Sequence, residues 1–268
     1  MATTAVDVIP LDMAPDSFDD QYQDCGNNMT EELPALNNSE FHQNPLFAQA
    51  WLNATAKWRG QKSPVSFLSS PAQAIALMAY TMDELHREFN TAVRVAGRSS
   101  QEYRDKFHFK TLHFLLTQAL KTLRVTQGPQ CHNVYRGVHG VRFEAEPGDI
   151  VRFGQFSSAS QSEKTAKHIR SATMFQVYTC HGVAIWNFSK NPDEKEVLIP
   201  PYETFEVIKV SQEGERARIQ LRSKGNFSKY NCEWLRGDTT GGSIPSTAFH
   251  LRGLLLAATA LVVDTRIL

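Results

Sequence analysis

The chain has no C-x-x-C pair, no internal repeat, no low-complexity segment and no excess of charge of either sign. Each absence narrows the reading. The four cysteines, Cys25, Cys131, Cys180 and Cys232, stand far apart, which argues against a zinc ribbon or any other clustered metal site. Lys plus Arg and Asp plus Glu both number 28, so the formal net charge is zero. A balanced chain offers no electrostatic reason to bind nucleic acid. Met1 to Leu11 reads MATTAVDVIPL, with neither a basic start nor a long apolar core, so it does not read as a secretory signal peptide. The apolar run from Gly253 to Val263 is too short to span a bilayer.

What is present points outward from the cell. An even number of widely spaced cysteines fits two disulfides, for which three connectivities are open. Asn-x-Ser/Thr triplets begin at Asn28, Asn37, Asn53, Asn187 and Asn226, more than chance usually supplies. Together these features read as a secreted or surface protein whose signal peptide was trimmed or spliced out. Downstream, small and polar residues from Thr239 to Ser246 precede the Gly253–Val263 run. Small residues, a spacer and an apolar tail form the pattern of a glycosylphosphatidylinositol (GPI) anchor signal, although Asp264 to Leu268 departs from it.

The 268 residues, 41% hydrophobic, suffice for a buried core. Apolar side chains recur at helical spacing over Phe47–Trp58, over Ala72–Val95 behind a Ser70-Pro71 start, and over Ser99–Leu123. Gly128-Pro129 ends that pattern. Short runs rich in Val, Ile, Phe and Tyr follow: Asn133–Val138, Ile150–Ser158, Met174–Ser189, Glu196–Ile199, Thr204–Val210 and Ala217–Arg222, with one helix over Gln161–Arg170. The chain reads as α+β, with a helical part over about 16–127 and a strand-rich, mostly antiparallel part over about 128–236. Residues 1–15 are set apart as an N-terminal segment and 237–268 as a tail.

Three segments of the strand-rich part carry chemistry. Tyr135-Arg136-Gly137 ends a strand. Gly154-Gln155-Phe156-Ser157-Ser158-Ala159-Ser160 lies on a later one. Asp193-Glu194-Lys195-Glu196-Val197-Leu198-Ile199-Pro200 enters a third. Singly, each has an ordinary structural explanation. In this order and spacing they resemble the R-S-E class of ADP-ribosyltransferases, most closely the vertebrate ecto-enzymes. The resemblance runs from Phe18-Asp19-Asp20-Gln21-Tyr22 to Tyr230-Asn231-Cys232 and includes Ala76-Leu77-Met78-Ala79-Tyr80-Thr81. It implies a single domain over 16–236 with the mixed two-sheet core of that family, and NAD⁺ as co-substrate without a metal. It further implies target proteins with accessible arginines, and a monomer that is either secreted or GPI-anchored. It also selects the disulfides Cys25–Cys232 and Cys131–Cys180, each worth about 2–4 kcal/mol.

The resemblance also implies roles for these residues, and the chemistry of the reaction is consistent with each. A guanidinium suits the two-pronged contact that a pyrophosphate needs, and Arg136 is the candidate. Gly137, lacking a side chain, lets the backbone approach the nicotinamide carboxamide, and Phe156 is expected to wall the nicotinamide ring. Cleaving the nicotinamide–ribose bond builds positive charge, which the Glu196 carboxylate would stabilise, with Ser158 holding Glu196 by a hydrogen bond. Glu194 would bind the incoming arginine and help remove its proton, since a free guanidinium titrates above about pH 12. On an extended segment the two glutamates would face one way, about 6.5–7 Å apart at Cα. Lys195 stands where many relatives carry an acid, and is expected to point away from the pair. Tyr80, Gln155 and Ser189 match positions near NAD⁺. A glycan on Asn187 would crowd Ser189, so Asn187 is expected to be unmodified or to point outward. Competing readings are an NAD glycohydrolase using the same residues, an inactive surface binding protein, and a two-carboxylate glycosidase. The last leaves Arg136 and the serines unexplained.

Overall fold

A computed structural model describes residues 6–60, 67–167, 171–189, 192–214 and 216–237. The helical part comes first: α1 (Gly26–Gln43), α2 (Pro45–Gly60), α3 (Pro71–Tyr80), α4 (Asp83–Ala96), α5 (Ser100–Lys106) and α6 (Lys110–Gln127). Their starts are chemically marked. The Asn44 side-chain Oδ1 accepts from the Phe47 amide at α2, and the Ser99 hydroxyl accepts from the Glu102 amide at α5. Pro71 opens α3, where its missing N–H costs nothing. The buried Glu40 carboxylate reaches across from α1 to accept from the Lys110 and Thr111 amides at the start of α6.

Two expected helical stretches are each divided. Ala72–Val95 breaks at Thr81-Met82, and Ser99–Leu123 breaks over Phe107 to Phe109. The second break is hidden in the sequence because Phe107 and Phe109 are apolar and buried, so the hydrophobic pattern continues through the turn. The 18-residue α1 is absent from the sequence expectation. It buries only Met29, Leu36, Asn37 and Glu40, and carries Pro34, so its apolar stripe is too thin to stand out.

The strands are β1 (Asp7–Pro10), β2 (His132–Val138), β3 (Val141–Glu144), β4 (Ile150–Val151), β5 (Ser157–Ser160), β6 (Thr173–Thr179), β7 (Val183–Ala184), β8 (Glu196–Ile199), β9 (Glu203–Glu213) and β10 (Arg216–Asn226). Eight of them form one sheet in the order β4-β9-β10-β6-β2-β5-β8-β7, antiparallel except for the β10–β6 pair. β1 and β3 make a separate parallel pair. The expected strand Ile150–Ser158 is two strands joined by a loop, and Met174–Ser189 becomes β6, β7 and a 3-10 turn at Trp186–Phe188. Helix α7 is described over Glu163–Lys167; the rest of the expected Gln161–Arg170 helix lies outside the described residues. So does the tail with its Gly253–Val263 run. Of residues 1–15, set apart in the sequence, Asp7–Pro10 pair with β3 and Leu11 is buried in the sheet core.

The chain ends are tied together by acids and sulfur. Asp19 pairs with Arg152 at 2.6 Å, both fully buried, and accepts from the Lys229 and Tyr230 amides. Asp20 accepts from the Tyr22, Cys232 and Glu233 amides. The disulfide Cys25–Cys232 closes the same junction, and Cys131–Cys180 joins the start of β2 to the end of β6. The helices pack on the β5–β8–β7 part of the sheet through one core that includes Tyr80, Phe89, Phe156 and Leu198. A second core, with Val134, Phe175, Val197 and Phe205, fills the space on the sheet's other side.

Candidate active site

A cleft of about 480 Å³ opens between α3–α4 and the central strands. From β2 come Arg136 and Gly137, from the loop before β5 comes Gln155, and from β5 come Ser158 and Ser160. Ser189, Glu194 and Glu196 close the opposite wall, and Tyr80 forms the floor at the end of α3. Eight residues singled out in the sequence therefore converge: Tyr80, Arg136, Gly137, Gln155, Ser158, Ser189, Glu194 and Glu196.

Phe156 does not join them. It is fully buried, 5.5 Å from the Phe89 ring and 5.3 Å from the His113 ring. The alternation of the chain sends Gln155 to the cleft and Phe156 into the helical core. Its backbone carbonyl still matters, because it accepts from the Tyr80 hydroxyl at 2.9 Å and from Asn90 Nδ2 at 2.9 Å. Phe156 thus supports the floor from below and forms no wall for a ring.

The two glutamates converge by a route different from strand alternation. Glu194 ends a 3-10 turn at Pro192–Glu194, and Glu196 opens β8. Between them Lys195 has φ +46°, in the left-handed region, and is exposed. This turn aims both carboxylates at the cleft. Three hydrogen bonds pin it: Lys195 N–H to Pro192 O at 3.2 Å, Gln161 N–H to Lys195 O at 3.3 Å, and the Ser160 hydroxyl to Glu194 O at 2.7 Å.

Glu196 is buried, and burial raises its pKa above the ordinary carboxylate value; hydrogen bonds from Ser158 and Ser189 oppose the rise, while the Glu194 charge adds to it. The Ser189 hydroxyl lies 2.9 Å from Glu196 Oε2. Ser158 also bonds the Tyr80 hydroxyl, whose pKa burial pushes up to about 12, so Tyr80 stays a neutral donor. Arg136 Nη1 donates to Ser158 O at 2.7 Å, which fixes the guanidinium beside β5. Burial lowers the Arg136 pKa, and the Arg94 charge acts in the same direction.

Gly137 is required by packing as well as by any ligand. A Cβ there would lie 2.9 Å from the Ala166 carbonyl oxygen and 3.3 Å from the Ser171 side chain. Gly154, at φ +63°, would place a Cβ 2.3 Å from Ala14, so the turn that delivers Gln155 depends on glycine.

Helix α4 adds a set of side chains that the motifs do not mark. His86, Arg87, Asn90, Thr91 and Arg94 all line the cleft. Arg94 donates to Gln155 Oε1, and Asn90 Nδ2 bonds both the Tyr80 hydroxyl and Phe156 O. The Asn90 Oδ1 is buried and has no partner among the described residues. The only sequence signal was Asn90 and Arg94 at i, i+4 on one helix face, which resembles any solvated face. Among the described residues no group of three or more His, Cys, Asp or Glu side chains is placed to hold a metal ion.

Residues 11–229 match the family model described as NAD:arginine ADP-ribosyltransferase. The chain is 50% identical over 231 residues to the erythroblast NAD(P)(+)–arginine ADP-ribosyltransferase of Gallus gallus, covering 85% of this chain and 77% of that one. It is 48% identical over 241 residues to the GPI-linked NAD(P)(+)–arginine ADP-ribosyltransferase 1 of Mus musculus, covering 85% and 74%. Among solved structures it resembles the eukaryotic mono-ADP-ribosyltransferase ART2.2 with a TM-score of 0.72 and 39% identity, over 84% of this chain and 98% of that one. A variant of the same enzyme in complex with NAD matches equally well, with a TM-score of 0.72.

Proposed function

The chain belongs to the NAD:arginine ADP-ribosyltransferase family, and from that membership and the geometry of its cleft we propose that it transfers ADP-ribose from NAD⁺ to arginine side chains of proteins at the cell surface. The observation that carries this reading is the convergence of Arg136, Ser158, Glu194 and Glu196 on one cleft.

Arg136 and Arg94 bring two positive charges into that cleft, and a pyrophosphate is the anion that relieves both. Tyr80 and Asn90 both donate to the Phe156 carbonyl and hold the floor of the cleft in place. As the nicotinamide–ribose bond breaks, nicotinamide leaves with the bonding pair and positive charge develops on the ribose. Glu196, fixed by Ser158 and Ser189, sits to stabilise that charge. A guanidinium nitrogen of the acceptor then bonds to ribose C1, and Glu194 takes the proton. No metal is needed to assist departure, because nicotinamide leaves as a neutral molecule.

The relatives named as GPI-linked or as ecto-enzymes support an extracellular, cell-surface location. Attachment through a GPI anchor is the finer proposal. It predicts release of the protein from cells by a phosphatidylinositol-specific phospholipase.

The function is tested with labelled NAD⁺ and agmatine, a small guanidine acceptor. Wild-type protein should transfer label. Glu194→Gln should lose transfer by about a hundredfold or more while still cleaving NAD⁺. Equal transfer by both proteins removes Glu194 from its role. Cleavage without transfer in the wild type makes the protein a glycohydrolase, and absence of cleavage makes it a binding protein.

A further inference from the structure

Strand alternation sorts the two faces of the eight-stranded sheet. Val134, Val177, Val197 and Ile219 turn into the second core, and their neighbours along the strands turn to the opposite face. Pairing joins some of these neighbours into one row. Glu196 on β8 pairs with Ser160 on β5, Ser160 with Tyr135 on β2, Tyr135 with Gln176 on β6, and Gln176 with Gln220 on β10. Directly paired residues share a face, so Glu196 and Gln220 stand on the same side of the sheet. At about 4.8 Å per strand, Gln176 lies roughly 14 Å from Glu196, and Gln220 roughly 19 Å.

This face is covered at one end and open at the other. On β8 it lies under the helices, where Leu198 joins the first core. Near Gly137 it lies under α7, whose Glu163 pairs with Arg218 at 3.1 Å. Beyond these covers a groove of about 410 Å³ is open, and Asn133, Gln176, Tyr178, Ile208, Gln220 and Arg222 are among its lining residues. Tyr178 is 41% exposed and Ile208 37%. Arg222 is exposed, with no hydrogen bond or ion pair to another described residue. Cleft and groove meet at a seam: Tyr135 lines the cleft, and its pair Gln176 lines the groove. The turn that carries Glu194 is held on the same side, because the hydroxyl of Ser160, the other pair of Tyr135, donates to Glu194 O.

We propose that this open sheet face is the docking surface for the polypeptide that carries the acceptor arginine. The inference rests on the role proposed for Glu194. The pyrophosphate of NAD⁺ takes the side of the cleft between Arg94 and Arg136, so a guanidinium aimed at Glu194 enters past Tyr135, and the chain that bears it lies along the groove. The occupant is an extended segment. The side-chain amides of Asn133, Gln176 and Gln220 both donate and accept, as peptide groups do. Tyr178 and Ile208 offer apolar surface to a side chain of the same kind. Arg222 suits a carboxylate, since a guanidinium can hold both of its oxygens. It pairs with Tyr178, two residues along β10 from Gln220, which places it roughly 20 Å from Glu196, or about six residues of extended chain. The preferred acceptor therefore carries an acidic side chain about six residues from its arginine, with an apolar one between. Agmatine is too short to reach the groove.

The test uses labelled NAD⁺ with agmatine and with two synthetic peptides. Each peptide holds one arginine, a leucine, and an aspartate about six residues to the N-terminal or the C-terminal side of the arginine. Wild type is compared with Tyr178→Ala and Arg222→Glu. For the better of the two peptides, kcat/KM should fall about tenfold in Tyr178→Ala, as for the loss of an aromatic anchor. In Arg222→Glu it should fall by about threefold or more, the effect of an exposed ion pair lost and reversed. Replacing the aspartate by lysine should restore transfer by Arg222→Glu, a reversal that a folding defect does not give. Agmatine transfer should be unchanged in both variants. Peptide kinetics that neither variant alters, or losses that agmatine shares, overturn the docking surface. Failure of agmatine transfer by the wild type overturns the proposed function instead. The surface is then judged by the fluorescence anisotropy of a labelled peptide: Tyr178→Ala should weaken binding, and equal binding by both proteins overturns it.

Discussion

The Ser189 hydroxyl donates to Glu196 Oε2 at 2.9 Å, joining two residues that stand on either side of the turn carrying Glu194. The bond favours the ionised carboxylate against the burial that raises its pKa. Ser189→Ala should therefore raise the Glu196 pKa further. The acidic limb of the pH–kcat profile for NAD⁺ cleavage should already lie above the ordinary carboxylate range in the wild type, and should move to still higher pH in the variant. The base form is the active one, so activity is lost as pH falls through the shifted value. A limb that stays in place in the variant shows that Ser189 does not act through Glu196.

Arg94 and Arg136 face one cleft, and each disfavours the other's charge until an anion arrives. Arg94→Gln should raise KM for NAD⁺ by about tenfold, the loss of one charge-assisted phosphate contact, with kcat little changed. Arg136→Lys should be more damaging than its charge suggests. The planar fork donates to Ser158 O and can still reach a phosphate, and an ammonium cannot reproduce that geometry. Steady-state kinetics over a range of NAD⁺ concentrations separates the two effects.

The Asp19–Arg152 pair holds the N-terminal segment to the domain's end from within the core. Asp19→Asn leaves the Arg152 charge buried without its counter-ion. The expected loss of unfolding free energy is roughly 3–5 kcal/mol, measured by denaturant titration with the disulfides intact. The cleft lies elsewhere, so residual folded protein should keep its KM for NAD⁺.

Two histidines make the fold sensitive to acid. Burial lowers His113 from 6.5 to about 3 and His181 from 6.5 to about 4. The unfolded chain binds their protons more readily than the folded one does. Their contribution is therefore fully present above about pH 6.5 and is lost as pH falls toward those values. The Tm should drop across that window. His181→Gln should flatten part of the drop; an identical pH profile in the variant assigns the acid sensitivity to other groups.

The fold was legible where period and chemistry agree. The Glu196–Ile199 strand, the Phe47–Trp58 helix and the change from helices to strands near Gly128 all follow from local pattern. The break at Phe107–Phe109 was illegible because buried apolar residues also fill that connection. The two-glutamate site was foreseen, but by strand alternation. The actual device is a left-handed Lys195 between a 3-10 turn and β8, and single-sequence periodicity carries no signal for a positive φ at a lysine.

By itself the sequence determined which groups are available for chemistry: a guanidinium at 136, serines at 157, 158 and 160, and carboxylates at 194 and 196 in a spacing that identifies the family. Only the tertiary structure decided which of their neighbours share the cleft. It turned Phe156 into the core and brought Asn90 and Arg94 in from a helix more than 60 residues upstream of Gln155. The physical reason is that local pattern reports how a side chain alternates along its own element, whereas a cleft is built from the faces of several elements, whose meeting is set by how their buried sides pack.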